Sequence, residues 1–131
     1  KFKKIVILVL LCATLLVSLT GCMKVNMSKD KIRKRLINDS YVVSYLSKTP
    51  WTADSQTANV NIVEIMCATK KENGRVLTVY IYFCSNDKST VWVEDKCRKN
   101  DLANETQNTI YIYDKIVMYG DYLAVSMARN Y

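Results

Sequence analysis

Hydrophobic and polar positions follow two different periods along this chain. From residue 29 to about residue 47, apolar side chains recur at the three- and four-residue spacing of an amphipathic helix, at Ile32, Leu36, Val43 and Leu46. Ser28 or Asp30 is placed to cap its start, and Pro50 disfavours helical backbone in the residue before it. The pattern therefore predicts one helix over 29–47, followed by a polar loop over 49–59.

After residue 60 the period changes to two. Alternating apolar and polar residues predict strands over 60–69, 76–84, 90–95, 109–118 and 122–128. Asn73-Gly74 is a strong hairpin signal, because both residues tolerate the positive φ angles of a tight turn. We therefore predict an α+β fold in which one N-terminal amphipathic helix packs on an antiparallel sheet of four to five strands. This layout resembles that of small cystatin-like α+β domains.

The predicted strands carry an aromatic face opposite an aliphatic face. Tyrosines alternate with aliphatic residues over 76–84 and again over 109–113, and a hairpin after Cys84 would place Trp92 opposite Tyr82. Because tyrosine and tryptophan are favoured at interfaces, we predict that a partner binds five residues: Tyr80, Tyr82, Trp92, Tyr111 and Tyr113. The alternative is that β-propensity and cross-strand pairing alone place tyrosines there, or that the loop around Trp51 covers them.

The first 22 residues have the pattern of an export signal. Lys1-Phe2-Lys3-Lys4 precedes an uncharged run, Ile5–Thr20, whose 16 residues fall short of the ~20 that usually span a membrane. The end of this run, Leu19-Thr20-Gly21-Cys22, resembles the lipobox of bacterial lipoproteins. That resemblance implies a diacylglycerol thioether on Cys22 and cleavage between Gly21 and Cys22. The alternative is an uncleaved membrane helix with an incidental cysteine.

We accordingly divide the chain into three parts. Residues 1–21 are the predicted signal peptide, residues 22–28 are the lipidated cysteine with a tether, and residues 29–131 form a single domain. The expected location is the extracytoplasmic face of the cell membrane, with the protein anchored through lipid on Cys22. Two acyl chains make such anchoring stable.

Positive charge is concentrated next to Cys22. The full chain has a net charge of +7, and loss of the three lysines of the signal segment leaves +4. Residues 36–131 are nearly neutral. Cations beside a lipid anchor are attracted to anionic headgroups, so we predict a membrane-surface cluster of six residues: Lys24, Lys29, Lys31, Arg33, Lys34 and Arg35. The alternative is a solvated helix face that is merely basic, and charge confined to one end argues against a nucleic-acid partner.

Candidate catalytic chemistry is sparse. The chain has no histidine, which excludes Ser-His-Asp and Cys-His catalysis. Beyond Cys22 three cysteines remain, Cys67, Cys84 and Cys97, and their spacing matches no zinc signature. Either one pair forms a disulfide, with Cys84–Cys97 favoured by loop length, or all three are small buried apolar groups. We expect no enzyme activity, no metal and no cofactor.

These observations favour a lipid-anchored extracytoplasmic interaction module that binds a protein or peptide partner at the cell surface. One alternative is a solute-binding lipoprotein, which needs a concave pocket. Another is a structural envelope lipoprotein without a discrete site. An enzyme would need a cysteine nucleophile with a lowered thiol pKa.

Overall fold

Five antiparallel strands form one sheet, in the spatial order β1-β2-β3-β5-β4. In the computed structural model, the described residues are 27–47, 49 and 51–130. The elements in chain order are α1 (Lys29–Asn38), β1 (Val42–Leu46), α2 (Thr52–Thr57), β2 (Ile62–Glu72), β3 (Arg75–Cys84), α3 (Asp87–Asn104), β4 (Thr109–Tyr113), β5 (Ile116–Gly120) and α4 (Tyr122–Arg129). The predicted α+β class, with an antiparallel sheet of four to five strands, is confirmed.

Two tight turns connect neighbouring strands. Asn73 and Gly74 have φ angles of 52° and 75°, and they join β2 to β3 as the hairpin signal predicted. A second hairpin at Asp114 and Lys115 divides the single strand that was predicted over 109–118. The strand alternation continues up to this turn, and Asp-Lys is a weaker turn signal than Asn-Gly.

One face of the sheet packs against α1 and α4, and we call it the α1/α4 face. Met66, Ile81 and Met118 form its central row and are fully buried. Ile32 and Leu36 of α1 belong to the same hydrophobic cluster, with the α4 residues Ala124, Val125 and Ala128. Met27, which the sequence placed in the tether, is also buried in this cluster.

The opposite face packs against α3, and we call it the α3 face. Val93 and Cys97 of α3 are fully buried against Tyr82 and Val117 of the sheet. Helices therefore cover both faces of the sheet, whereas the sequence predicted one helix on one face. Among the described residues, none of the helices has the length and apolar character needed to cross a membrane.

The helix predicted over 29–47 is wrong in its second half. α1 ends at Asn38, and Ser40 turns the chain with a φ of 69°. Residues 42–46 then form β1, in which Val43 pairs with Ala68 of β2. The β-branched and aromatic residues of this segment fit a pleated surface, and β2 supplies the backbone partners that a helix would have supplied locally.

Two predicted strands, 90–95 and 122–128, are also wrong, because both segments are helical. In α3 the Asn86 side chain accepts a hydrogen bond from the Ser89 backbone N–H (2.9 Å) and so caps the start of the helix. Its buried residues Ser89, Val93 and Cys97 recur every fourth position, and Arg98 pairs with Glu94 one turn away (2.8 Å). Without their tertiary contacts, the apolar residues of 90–95 also fit the alternating pattern of a strand.

The start of α4 is hydrogen-bonded to β3. The Asp121 carboxylate accepts a hydrogen bond from the Thr78 backbone N–H (2.8 Å). Gly120 lies so close to β3 that a Cβ there would collide with the carbonyl oxygen of Thr78 and lie 2.8 Å from the Cα of Val79. Glycine at this position therefore allows the chain to leave the sheet and enter the helix.

Candidate functional site

The five aromatic residues predicted as one binding face do not share a face. Tyr80 and Tyr82 lie on the α3 face, and Tyr80 pairs with Tyr119 of β5. Tyr111 instead lies opposite Met118, in the row that points to the α1/α4 face. The prediction of one aromatic sheet face is therefore wrong, because the register of β4 turns its tyrosines the other way.

The other three predicted residues lie apart from Tyr80 and Tyr82. Trp92 belongs to helix α3, where it is half-buried beneath the ammonium of Lys96, 5.1 Å from the ring centre. Tyr111 lies under the guanidinium of Arg129, 4.1 Å from its ring centre. Tyr113 is 42% exposed near the end of β4. None of these three lines the cavity described next.

Four aromatic rings line a cavity of about 240 Å³ on the α3 face, which we call the aromatic cleft. Its lining consists of Trp51, Tyr80, Tyr82 and Tyr119 together with Leu46, Thr49 and Asn100. Trp51 stacks on Tyr82, with their ring centres 5.8 Å apart. Two of the five predicted residues, Tyr80 and Tyr82, therefore line the cleft. Its other lining residues were not among the predicted site residues.

The elements around the cleft explain its composition. Leu46 pairs with Ile65, and Ile65 pairs with Tyr82, so these three side chains share one face. Trp51 reaches that face from the segment just before α2, and Asn100 reaches it from α3. Sequence reasoning placed Trp51 beside the tyrosines only as one alternative. Tyr119 fell between the strands predicted over 109–118 and 122–128, and no local signal brings Asn100 near the tyrosines.

The polar end of the cleft is a hydrogen-bonded network around Tyr119. The Tyr119 hydroxyl donates to the Asp101 carboxylate (2.6 Å) and accepts from the side-chain amides of Asn100 (2.9 Å) and Asn108 (3.2 Å). Partial burial disfavours ionisation of Asp101, but hydrogen bonds from Tyr119, Asn108 and Thr106 outweigh it and lower its pKa. Burial, with the bond to this carboxylate, raises the pKa of Tyr119. The groups that line the cleft are therefore neutral. The Asp101 carboxylate is not part of the lining and contacts it through Tyr119.

A second cavity lies beyond this network. It has a volume of about 390 Å³ and is lined by Arg98, Asp101, Leu102, Asn108 and Ile110. Unlike the aromatic cleft, it carries charged groups of both signs. The Asp101 network therefore separates a cavity lined by neutral groups from one that contains charged groups.

The three cysteines beyond Cys22 are free thiols. Cys84 and Cys97 are buried, and Cys67 is half-buried. Burial raises the pKa of all three thiols, that of Cys97 to about 12. A raised pKa leaves little thiolate at neutral pH, so these groups are weak nucleophiles.

The predicted basic cluster is divided by the structure. Lys24 lies outside the described residues, as do the predicted signal peptide and Cys22. The Lys29 ammonium pairs with the Glu64 carboxylate (2.6 Å). The half-buried Arg35 donates to the Ala128 carbonyl at the end of α4 (2.7 Å) and so joins two helices. Three members remain exposed without an ion pair among the described residues: Lys31, Arg33 and Lys34.

Within the described part of the chain, no group of three or more Asp, Glu, Cys or His residues is arranged to hold a metal ion. The chain matches no protein-family model and shows no significant similarity to curated proteins or to solved structures. Its function is therefore inferred from its own residues.

Proposed function

We propose that this protein is a lipid-anchored interaction module of a bacterial cell envelope, which binds a protein or peptide partner through the aromatic cleft. Two observations support the proposal. The lipobox-like Leu19-Thr20-Gly21-Cys22 supports the anchor. The cleft supports partner binding because its half-buried rings, Trp51 and Tyr80, lie beside the exposed Leu46, and pockets of this kind accept the anchor side chains of partners.

The dimensions of the cleft favour a side chain over a free solute. Small-molecule sites usually measure ~300–1,000 Å³, whereas this cleft measures about 240 Å³. One or two apolar side chains of a partner fit such a volume. Its rim also offers apolar surface: Leu46 is 38% exposed, and Val42, further along the same face of β1, is 71% exposed.

Confinement to a membrane makes a small contact surface sufficient. Two proteins held in one membrane plane meet at a raised effective concentration, so a modest affinity supports a stable complex. A partner inserting one side chain between Trp51 and Tyr80 would gain apolar contact without burying a charge, because no ionised group lines the cleft.

Partner binding is tested by site-specific photo-crosslinking in living cells. A photoreactive residue replaces Leu46 at the rim of the cleft, and the control carries the same residue at the exposed Lys115 in the β4–β5 turn. We expect a discrete protein adduct from position 46 and none from position 115. Normal export without any adduct from position 46 would contradict the proposed contact.

The anchor is tested separately by mass spectrometry of the N-terminal peptide. We expect the mature chain to begin at Cys22 and to carry a diacylglyceryl group on its sulfur. Cys22→Ala should leave an uncleaved precursor, because cleavage at a lipobox follows lipid attachment. A wild-type chain that retains residues 1–21 would refute the lipoprotein assignment and support the membrane-helix alternative.

A further inference from the structure

We infer that the outer surface of the helical layer formed by α1 and α4 rests on an anionic bilayer, so that the α3 face with its cleft points away from the membrane. The inference rests on the proposed lipid anchor and adds the orientation of the domain. A lipid surface fits this helical layer because of its charge, its exposed apolar groups and the length of the tether.

The exposed basic residues of α1 outnumber its one acidic residue, Asp30. Ile32 and Leu36 point into the core. Lys34 therefore points outward, because it lies about half a helical turn from each of them. Lys31 precedes Arg35 by one turn, on the side where Arg35 meets α4. Both lysines are exposed and form no ion pair among the described residues, so they are available to lipid phosphates.

Exposed apolar side chains lie at one end of the same layer. α4 buries Ala124 and Val125, whereas Tyr122 and Leu123 are 69% and 55% exposed. Ile37 near the end of α1 is 43% exposed. A helical layer that presents lysines and, at one end, a tyrosine and two aliphatic residues is typical of surfaces that lie at the membrane interface.

The directions of the helices bring these residues to the same end. α1 begins where Lys29 meets Glu64 and ends where Asp39 contacts Lys70 (3.4 Å). α4 runs the opposite way, from Asp121 beside Thr78 to Arg129 over Tyr111. The end of α1 and the start of α4 therefore meet, and the tether joins α1 at the other end of the layer.

The length of the tether limits the possible orientations. Met27 is buried, and only four residues separate it from Cys22. Even fully extended, this connection spans at most ~18 Å. The domain has three layers, each roughly 10 Å thick, so a tether that starts in the α1 layer is too short to bring the far side of α3 to the bilayer.

The orientation is tested by photo-crosslinking to lipid, with the full chain reconstituted into vesicles of phosphatidylglycerol and phosphatidylcholine. A diazirine-bearing residue replaces Leu123, and the matched control places it at Leu102, which is 80% exposed on α3. We expect several-fold more lipid adduct from position 123 than from position 102. Equal yields, or a Leu123 adduct with protein instead of lipid, would overturn the orientation.

The contribution of the lysines is tested in the same assay. Lys31→Gln with Lys34→Gln should lower the lipid adduct at position 123 in anionic vesicles and leave it unchanged in pure phosphatidylcholine. An unchanged yield in both would refute the role of charge. Far-UV circular dichroism checks that each variant is folded.

The mass of the N-terminal peptide separates the two possible failures. Lipid on Cys22 with equal labelling at positions 123 and 102 would refute the orientation and leave the proposed anchor intact. Absence of lipid on Cys22 would refute the anchor, and the inferred orientation with it.

Discussion

Removal of one hydroxyl, by Tyr119→Phe, tests the network that forms the polar end of the cleft. The Tyr119 hydroxyl is buried and takes part in three hydrogen bonds, of which the one to the ionised Asp101 is the shortest, at 2.6 Å. A net hydrogen bond to a charged group contributes ~1.5–3 kcal/mol, and one between neutral groups ~0.5–1.5 kcal/mol. Asn100 and Asn108 are half-buried and regain water in the variant, so we expect a total loss of about 2–3 kcal/mol in the free energy of unfolding.

The same substitution has a predictable pH dependence. Because the pKa of Asp101 is lowered in the folded chain, its ionised form stabilises folding above the usual aspartate pKa of about 4, and this stabilisation is lost as the pH falls through the lowered value. The phenylalanine variant lacks the strongest bond to that carboxylate. The difference between wild type and variant should therefore be largest at pH 7 and shrink on acidification.

Urea unfolding of the full chain in mild detergent measures both effects. Trp51 and Trp92 both pack in the cluster on the α3 face, so their fluorescence reports its unfolding. Tyr113→Phe is the matched control, because its hydroxyl is exposed and has no hydrogen-bond partner among the described residues. A loss below about 0.5 kcal/mol, the bottom of the range for one bond, or a loss that does not change with pH, would refute the network's role.

Three further predictions concern the fold and its thiols. Gly120→Ala should lower the free energy of unfolding by about 1–3 kcal/mol, because its Cβ would strike the backbone of β3; an unchanged urea midpoint would contradict this close approach. Asn86→Ala should cost about 1 kcal/mol through loss of the α3 cap, measured in the same way, and a neutral effect would refute the capping role. A thiol reagent at pH 8 should label Cys67 faster than Cys97, whose pKa burial raises to about 12; equal rates by mass spectrometry would contradict the burial of Cys97.

The candidate site was predictable only in part, and the reason lies in its geometry. Alternation along β3 placed Tyr80 and Tyr82 on one face, and the structure agrees. The partners of these tyrosines come from distant segments. Trp51 precedes them by about thirty residues and Asn100 follows by about twenty, so no local period relates them.

Features that depend on near neighbours could be predicted from the amino-acid sequence. The Asn73-Gly74 hairpin required only two residues that tolerate positive φ, and the inward positions Ile32 and Leu36 followed from helical spacing. The α+β class followed from the change of period near residue 60, since a chain with one helical face and several alternating strands must bury both.

In the short apolar segments, the choice between helix and strand depends on tertiary contacts. Residues 90–95 and 122–128 have enough apolar residues for either structure, and length and periodicity do not separate the two. Residues 42–46 became a strand because β2 offers backbone partners, whereas α3 and α4 cover sheet faces that would otherwise expose Tyr82 or Ile81. The choice is non-local, because the free energy gained by covering a sheet face depends on which segments meet in space, and this exceeds the small differences in intrinsic propensity.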